Sequence, residues 1–195
     1  VTTIEEFRAA FTEEVGDLSS LTDNDEIDRW VNEGRTRIGS FDEKTDTLSW
    51  SAAATSVDLP ADCIRFVELV GDDAYTLGGF KVWGKALVPT DPDGASAAGS
   101  GTVFYLAYFP AISSGNPSEL SLEANRGLLS YALYRFFRKL SSNRLVYKRY
   151  ATLVGANAVQ IEDLQDEASR HYDDFLAAQD EQPLPGPGFF FGDGA

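Results

Sequence analysis

One cysteine, one histidine and no methionine leave little nucleophile or soft-ligand chemistry in this 195-residue chain. Lone Cys63 cannot form an intramolecular disulfide, and its apolar neighbours mark it as a small buried hydrophobe rather than a reactive thiol. No run approaches the roughly 20 apolar residues a membrane-spanning helix needs. No basic segment followed by an apolar run opens the chain, so synthesis in a cytoplasm is the expectation. Cations are scarce as well: 16 Lys and Arg stand against 31 Asp and Glu, a net charge of −15. A field of that sign repels nucleic acid and speaks against tight DNA binding by charge neutralisation. It suits a surface past which DNA slides without sticking. What is present is ordinary for a globular protein: 43% hydrophobic and 24% charged residues exclude global disorder and allow one well-buried domain with an appendage.

Periodicity divides the chain. Thr3-Ile4-Glu5-Glu6 is a capping box, and Phe7, Phe11, Val15 and Leu18 follow as one apolar stripe. Thr22 or Asp23 caps a second helix whose buried face is Ile27, Trp30, Val31 and Ile38. Alternation then replaces helical spacing. Leu48, Trp50 and Ala52 alternate with serines, and Val57 and Leu59 with Ser56 and Asp58, as in half-buried strands. Pro60 and Asp62 make a turn, after which Cys63–Val70 starts a new strand or a short helix. Tyr75–Leu77, Phe80–Trp83 and Lys85–Pro89 read as a meander of short strands. The stretch 90–101 is a loop with little to bury, and Thr102–Phe109 is a strand rich in aromatic and β-branched residues.

From Leu122 to Leu140 a helix carries Leu122, Leu129, Leu133, Phe136 and Leu140, widened by Leu128, Tyr131, Ala132, Tyr134 and Phe137 until little polar surface remains. Such a helix is buried on several sides, by its own domain or by neighbouring subunits. A last helical stretch, 144–179, has the stripe Tyr150, Val154, Ile161, Leu164, Ala168, Tyr172 and Phe175. Unbroken, it is a strut of roughly 50 Å, with Gly155 and Asn157 as bending points. The final fifteen residues alternate Pro183, Pro185 and Pro187 with Leu184, Gly186 and Gly188 before Phe189-Phe190-Phe191, a composition that cannot join a core. The fold reading is α+β, mainly α. A bundle of two N-terminal helices (1–45) and two C-terminal helices (113–180) carries an inserted small antiparallel β region (46–112) and an extended arm (181–195).

Catalytic constellations are missing. His171 lies among Glu167, Asp173 and Asp174 without triad or metal-ligand spacing, and reads as a surface or inter-subunit residue. Asp23, Asp25 and Asp28 fail as a calcium loop, because Asp28 and Gly34 stand where a glycine and a bidentate Glu belong. Asp91 and Asp93 belong to a Pro/Gly turn. No phosphate loop, nucleophile elbow or paired-cysteine metal site occurs. The cations, however, cluster: Arg126, Arg135, Arg138, Lys139, Arg144, Lys148 and Arg149 fall within one short stretch. They read either as a solvated face or as a strip meeting the acidic 5–33 or 162–174 region of an adjacent subunit. Contact with DNA is the weakest option.

Three phrases carry a family resemblance: Ile27-Asp28-Arg29-Trp30-Val31-Asn32, Leu59-Pro60-Ala61-Asp62, and Tyr105-Leu106-Ala107-Tyr108-Phe109-Pro110. Set between helix pairs over roughly residues 3–180, they resemble the head-to-tail adaptor proteins of tailed bacteriophages. Podovirus-type tail accessory factors share the same plan. The resemblance implies a structural virion protein with no enzymatic activity and no cofactor, made in the host cytoplasm and placed in the neck between capsid and tail. It implies a ring of twelve copies beneath the portal protein, extending the DNA channel and receiving a tail or nozzle protein. DNA passes without specific binding, and no membrane is involved. It also implies a C-terminal segment that embraces or inserts into the portal. Residues 181–195 occupy that place, making Pro183, Pro185, Pro187, Phe189, Phe190 and Phe191 the expected partner-binding arm. Arg135, Arg138, Lys139, Arg144, Lys148 and Arg149 are the expected inter-subunit basic patch. Two alternatives stand beside this: another connector layer such as a head-completion or stopper protein, or, from a different class, a small-ligand binding module or enzyme with a site inside the β region.

Overall fold

The computed structural model describes residues 2–39, 41–51, 54–71, 80–90, 99–154 and 160–182. The chain is α+β and mostly helical. It divides into two units, Val1–Ser40 with Phe109–Leu184, and Phe41–Tyr108. Each has its own apolar core.

The helical unit begins with α1 (Ile4–Val15). The capping box forms: the Thr3 hydroxyl accepts from the Glu6 amide at 3.2 Å, and the Glu6 carboxylate accepts from the Thr3 amide at 2.8 Å. Phe7, Phe11 and Val15 are buried, and the helix stops at Gly16, whose φ of +56° suits a residue without a Cβ. A 3-10 helix (Gly16–Leu21) leads to α2 (Asn24–Arg37), capped by Asp23, which accepts from the Glu26 amide at 2.8 Å. Arg8 on α1 grips Asp28 on α2 in a bidentate pair, Nε and Nη2 each donating to one carboxylate oxygen. Phe11 lies against Trp30 and, edge-on, against Phe136, with centroids 6.3 and 5.4 Å apart.

Asn32 closes the unit where the chain returns from the strands. Its side-chain amide donates to the Ile112 carbonyl at 3.0 Å, and its carbonyl accepts from the Ile112 amide at 2.8 Å. Arg35 adds a bond to the Phe109 carbonyl. Phe109 and Ile112 therefore pack with the helices, although the sequence pattern places them with the strands.

Helix α3 (Leu122–Ser142), capped by Ser121, buries Leu128, Tyr131, Leu133, Phe136 and Leu140. Its nearly all-round apolar surface is met inside the chain by α1, α2 and the last helix. Leu122, on the first turn, is exposed. The predicted strut is two helices, α4 (Arg144–Val154) and α5 (Ile161–Asp180). The predicted bending points Gly155 and Asn157 lie outside the described residues. A fresh N-terminus follows, with the Gln160 amide donating to Asp163 at 3.0 Å. At about 1.5 Å per residue α5 is roughly 30 Å long. It runs against α3 through Tyr131–Phe175 and Tyr134–Tyr172 ring pairs, 5.0 and 4.8 Å between centroids.

The β unit holds two three-stranded antiparallel sheets, ordered β1-β6-β3 and β2-β5-β4. Their strands are β1 (Asp42–Trp50), β2 (Val57–Asp58), β3 (Arg65–Gly71), β4 (Phe80–Trp83), β5 (Ala86–Pro89) and β6 (Gly99–Ala107). Leu48, Val57, Leu59, Cys63, Leu69, Leu87 and Val103 fill the core. β1 starts at Asp42, ahead of the alternation at Leu48, and Cys63–Val70 resolves into a strand with a bulge between Phe66 and Glu68. The Leu-Pro-Ala-Asp turn is pinned by Asp62, which takes Lys44 Nζ at 2.8 Å and the Tyr105 hydroxyl at 3.2 Å.

Candidate functional site

The six predicted cations separate into two groups of three. Arg135, Arg138 and Lys139 lie on the last half of α3. Arg135 reaches both carboxylate oxygens of Glu33 on α2, and Tyr131 donates to the same carboxylate at 2.8 Å. Partial burial raises the Glu33 pKa, but the Tyr131 hydroxyl and the Arg135 guanidinium more than offset it, and the carboxyl sits below its usual range. Lys139 bonds the Leu21 carbonyl at 3.1 Å and the Glu26 carboxylate, with its ammonium 5.8 Å from the Trp30 ring centre. Two of the six thus meet the acidic 5–33 region of their own chain. Sequence reasoning found the complementary acid but had no means of placing it in the same molecule. Arg138 is exposed and, among the described residues, donates to the Tyr134 hydroxyl alone, at 2.6 Å.

Arg144, Lys148 and Arg149 lie exposed on α4, and none has an ion pair among the described residues. This eleven-residue helix holds no carboxylate. Its outer surface also presents Leu145 at 73% and Leu153 at 54% exposure. Its buried side is anchored by Tyr150. An isolated exposed leucine is unremarkable; two of them flanking unpaired cations on one helix surface make a face fit for contact.

α5 has the opposite sign. Glu162, Asp166, Asp173 and Asp180 recur at spacings of four, seven and seven, which places all four on one line of the helix. They are exposed and have no ion pair among the described residues. The line runs opposite the buried stripe Leu164, Ala168, His171, Phe175 and Ala178.

His171 corrects the sequence reading, for it belongs to that buried stripe rather than to the surface. Its ring stacks on Phe137 with centroids 5.5 Å apart and planes 10° apart. Nδ1 is buried without a hydrogen bond, and Nε2 lies 4.0 Å from Glu167. Burial holds its pKa below the ordinary value, and Arg170 acts in the same direction. Of the acidic neighbours that suggested an exposed position, Asp173 and Asp174 are exposed, while Glu167 lies one turn away, beside the ring.

Hollows mark the described surface of the helical unit. A groove of about 530 Å³ is lined by Glu26, Arg29 and Trp30 of α2, Arg135, Arg138, Lys139 and Ser142 of α3, and Asn143. A second, about 390 Å³, lies between α3 and α5 beside Tyr134, Ser141, Gln165 and Tyr172. In the β unit, Trp83 is 73% exposed with Lys81 Nζ 5.7 Å from its ring centre. Cys63 is buried, and burial pushes its thiol up to about 11, which keeps it protonated at neutral pH. Among the described residues no group of three or more His, Cys, Asp and Glu is arranged to hold a metal ion. No helix among them is long and apolar enough to cross a membrane. The arm residues Pro183, Pro185, Pro187, Phe189, Phe190 and Phe191, and the turn residues Asp91 and Asp93, lie outside the described residues. No protein-family model matches the chain, and a search of curated proteins finds no match.

Proposed function

We propose that this chain is a head-to-tail adaptor, a structural virion protein that assembles as a ring beneath a portal and docks the next tail component. The observation that carries the reading is the pair of opposite faces on one helical unit. Among the described residues, α4 presents three cations without an ion pair beside two exposed leucines, and α5 presents a straight line of four carboxylates without one. A head-to-tail contact between identical chains needs two different, complementary patches, and repeated contacts of that kind close into a ring.

The phrases behind the family resemblance support it by their positions. Ile27, Trp30 and Val31 are core residues, Asp28 holds α1, and Asn32 clamps the returning chain at Ile112. The Leu-Pro-Ala-Asp turn is likewise built into the β unit through Asp62. The β unit, with Trp83 in solvent, is the surface offered to the tail side. The arm with Phe189-Phe190-Phe191 reaches the portal, its prolines limiting the entropy lost on docking. A chain of net charge −15 lines a channel through which DNA moves without adhering.

Charge reversal tests the ring contact. Lys148→Glu with Arg149→Glu on α4 leaves two acidic faces, and Asp166→Lys with Asp173→Lys on α5 leaves two basic ones. Each pair alone is expected to abolish adaptor rings in a complementation assay scored by electron microscopy of particle necks. A chain carrying all four changes is expected to restore them. Full assembly of either two-residue variant, or failure of the four-residue variant with its fold intact by circular dichroism, overturns the assignment of these faces.

A further inference from the structure

We propose that the groove between α2 and α3 is a recognition site for an acidic polypeptide segment of another chain, one presenting two or more carboxylates on neighbouring helical turns. The inference rests on one chain's own geometry and is independent of the ring contact.

The groove is lined by four cations, Arg29, Arg135, Arg138 and Lys139, and by a single carboxylate, Glu26. That is a local surplus of positive charge in a chain whose net charge is −15. Glu26 is already engaged: one oxygen meets the Thr22 hydroxyl and Lys139, and the other faces Arg29 at 3.6 Å. The guanidiniums are not exhausted. Among the described residues, the hydrogen bonds of Arg135 run through Nη1, to Glu33 and Tyr131, and none uses Nε or Nη2. Arg138 uses only Nη1, to Tyr134. Arg29 is 65% exposed.

The cations are also held in place before any ligand arrives. Glu33 and Tyr131 fix Arg135; Glu26, the Leu21 carbonyl and the Trp30 face fix Lys139. Little side-chain freedom remains to be lost on binding. A guanidinium fork with free Nε and Nη2 matches a carboxylate in bidentate geometry. Asn143 at the rim caps α4, whose first turn has no acidic residue to balance its positive end. A volume of about 530 Å³ accommodates a few side chains rather than a tracked strand. Nucleic acid, whose charge extends along its backbone, meets the acidic remainder of the surface and is disfavoured.

The test uses the full chain and a fluorescein-labelled twelve-residue helical peptide with glutamates at i, i+4 spacing. Its Gln counterpart and a labelled single-stranded DNA dodecamer serve as comparisons, followed by anisotropy at about 50 mM salt. Saturable binding of the Glu peptide is expected, with no saturation for the Gln peptide or the oligonucleotide. Arg29→Gln with Arg138→Gln, both exposed positions, is expected to weaken peptide binding at least about tenfold. Lys148→Gln on α4 is expected to leave it unchanged. Absence of saturable peptide binding, equal loss in the Lys148→Gln variant, binding undiminished by Arg29→Gln with Arg138→Gln, or preferential binding of the oligonucleotide overturns the proposal. Urea unfolding of each variant confirms that any loss comes from the groove and not from the fold.

Discussion

Arg135 and Lys139 give their charge to Glu33 and Glu26 of the neighbouring helix, which is why the proposed ring contact is assigned to Arg144, Lys148 and Arg149. Removing Glu33 alone would strand a half-buried guanidinium and phenol, so the Nη1 side of Arg135 is committed to holding α2 against α3. His171 is the other residue whose environment decides its behaviour. Burial and Arg170 lower its pKa, while Glu167, Asp174 and Glu14 on α1 pull the other way without prevailing. An unfolded chain takes up its imidazole proton near 6.5, the folded chain only at lower pH. Stability from this residue is therefore full above 6.5 and falls as pH drops through that value toward the folded pKa. Glu33, with a lowered carboxyl pKa, acts in a separate window: its contribution is present above 4.5 and is lost below it. Urea unfolding at about pH 7.5 and about pH 5.5 should show wild type losing stability across the interval. His171→Phe, which keeps a ring against Phe137, should lose less. Equal losses in the two proteins would show that the imidazole is not the source.

At the scale of elements, the seam between α3 and α5 rests on Gly127. A Cβ there would lie 2.6 Å from the Ala178 Cβ and 3.0 Å from Ile38 Cδ1. Alanine gains about 1 kcal/mol over glycine in a helix interior. Overpacking a close helix contact costs about 1–3 kcal/mol, and a 2.6 Å approach to a side-chain atom with no freedom to move belongs at the upper end. Gly127→Ala should therefore destabilise the helical unit by urea unfolding; a gain in stability would mean that the seam opens at little cost. Much of this unit was legible in sequence. The Thr3 capping box, the Asp23 cap and the buried faces of α1 and α2 follow from spacing alone, because local hydrogen bonds and a 3.6-residue period fix them. The start of β1 was hidden because 42–47 is polar on both faces and shows no alternation to read. The fresh N-terminus of α5 at Gln160 was hidden because the apolar stripe of 144–179 continues through it in sequence. His171 was masked by Asp173 and Asp174, exposed on the same helix, and by Glu167 one turn before it. As for the candidate site, sequence found the cations and the acids, but which of them meet inside one chain is a tertiary fact.

For the whole molecule, the charge surplus is not spread evenly: α4 carries only cations, and α5 carries a line of carboxylates with solvent in front of it. Opposite faces of this kind leave a single copy unsatisfied and a ring of copies satisfied, and the contact should weaken as salt screens it. On the proposed reading, function lies in position and fit rather than in a chemical step. Quantitative mass spectrometry of purified phage particles whose genome encodes this chain tests this most directly. The expected result is the chain present in the particle in the same copy number as the portal protein. Its absence from purified particles, with the protein recovered only from the soluble lysate, would contradict the adaptor assignment.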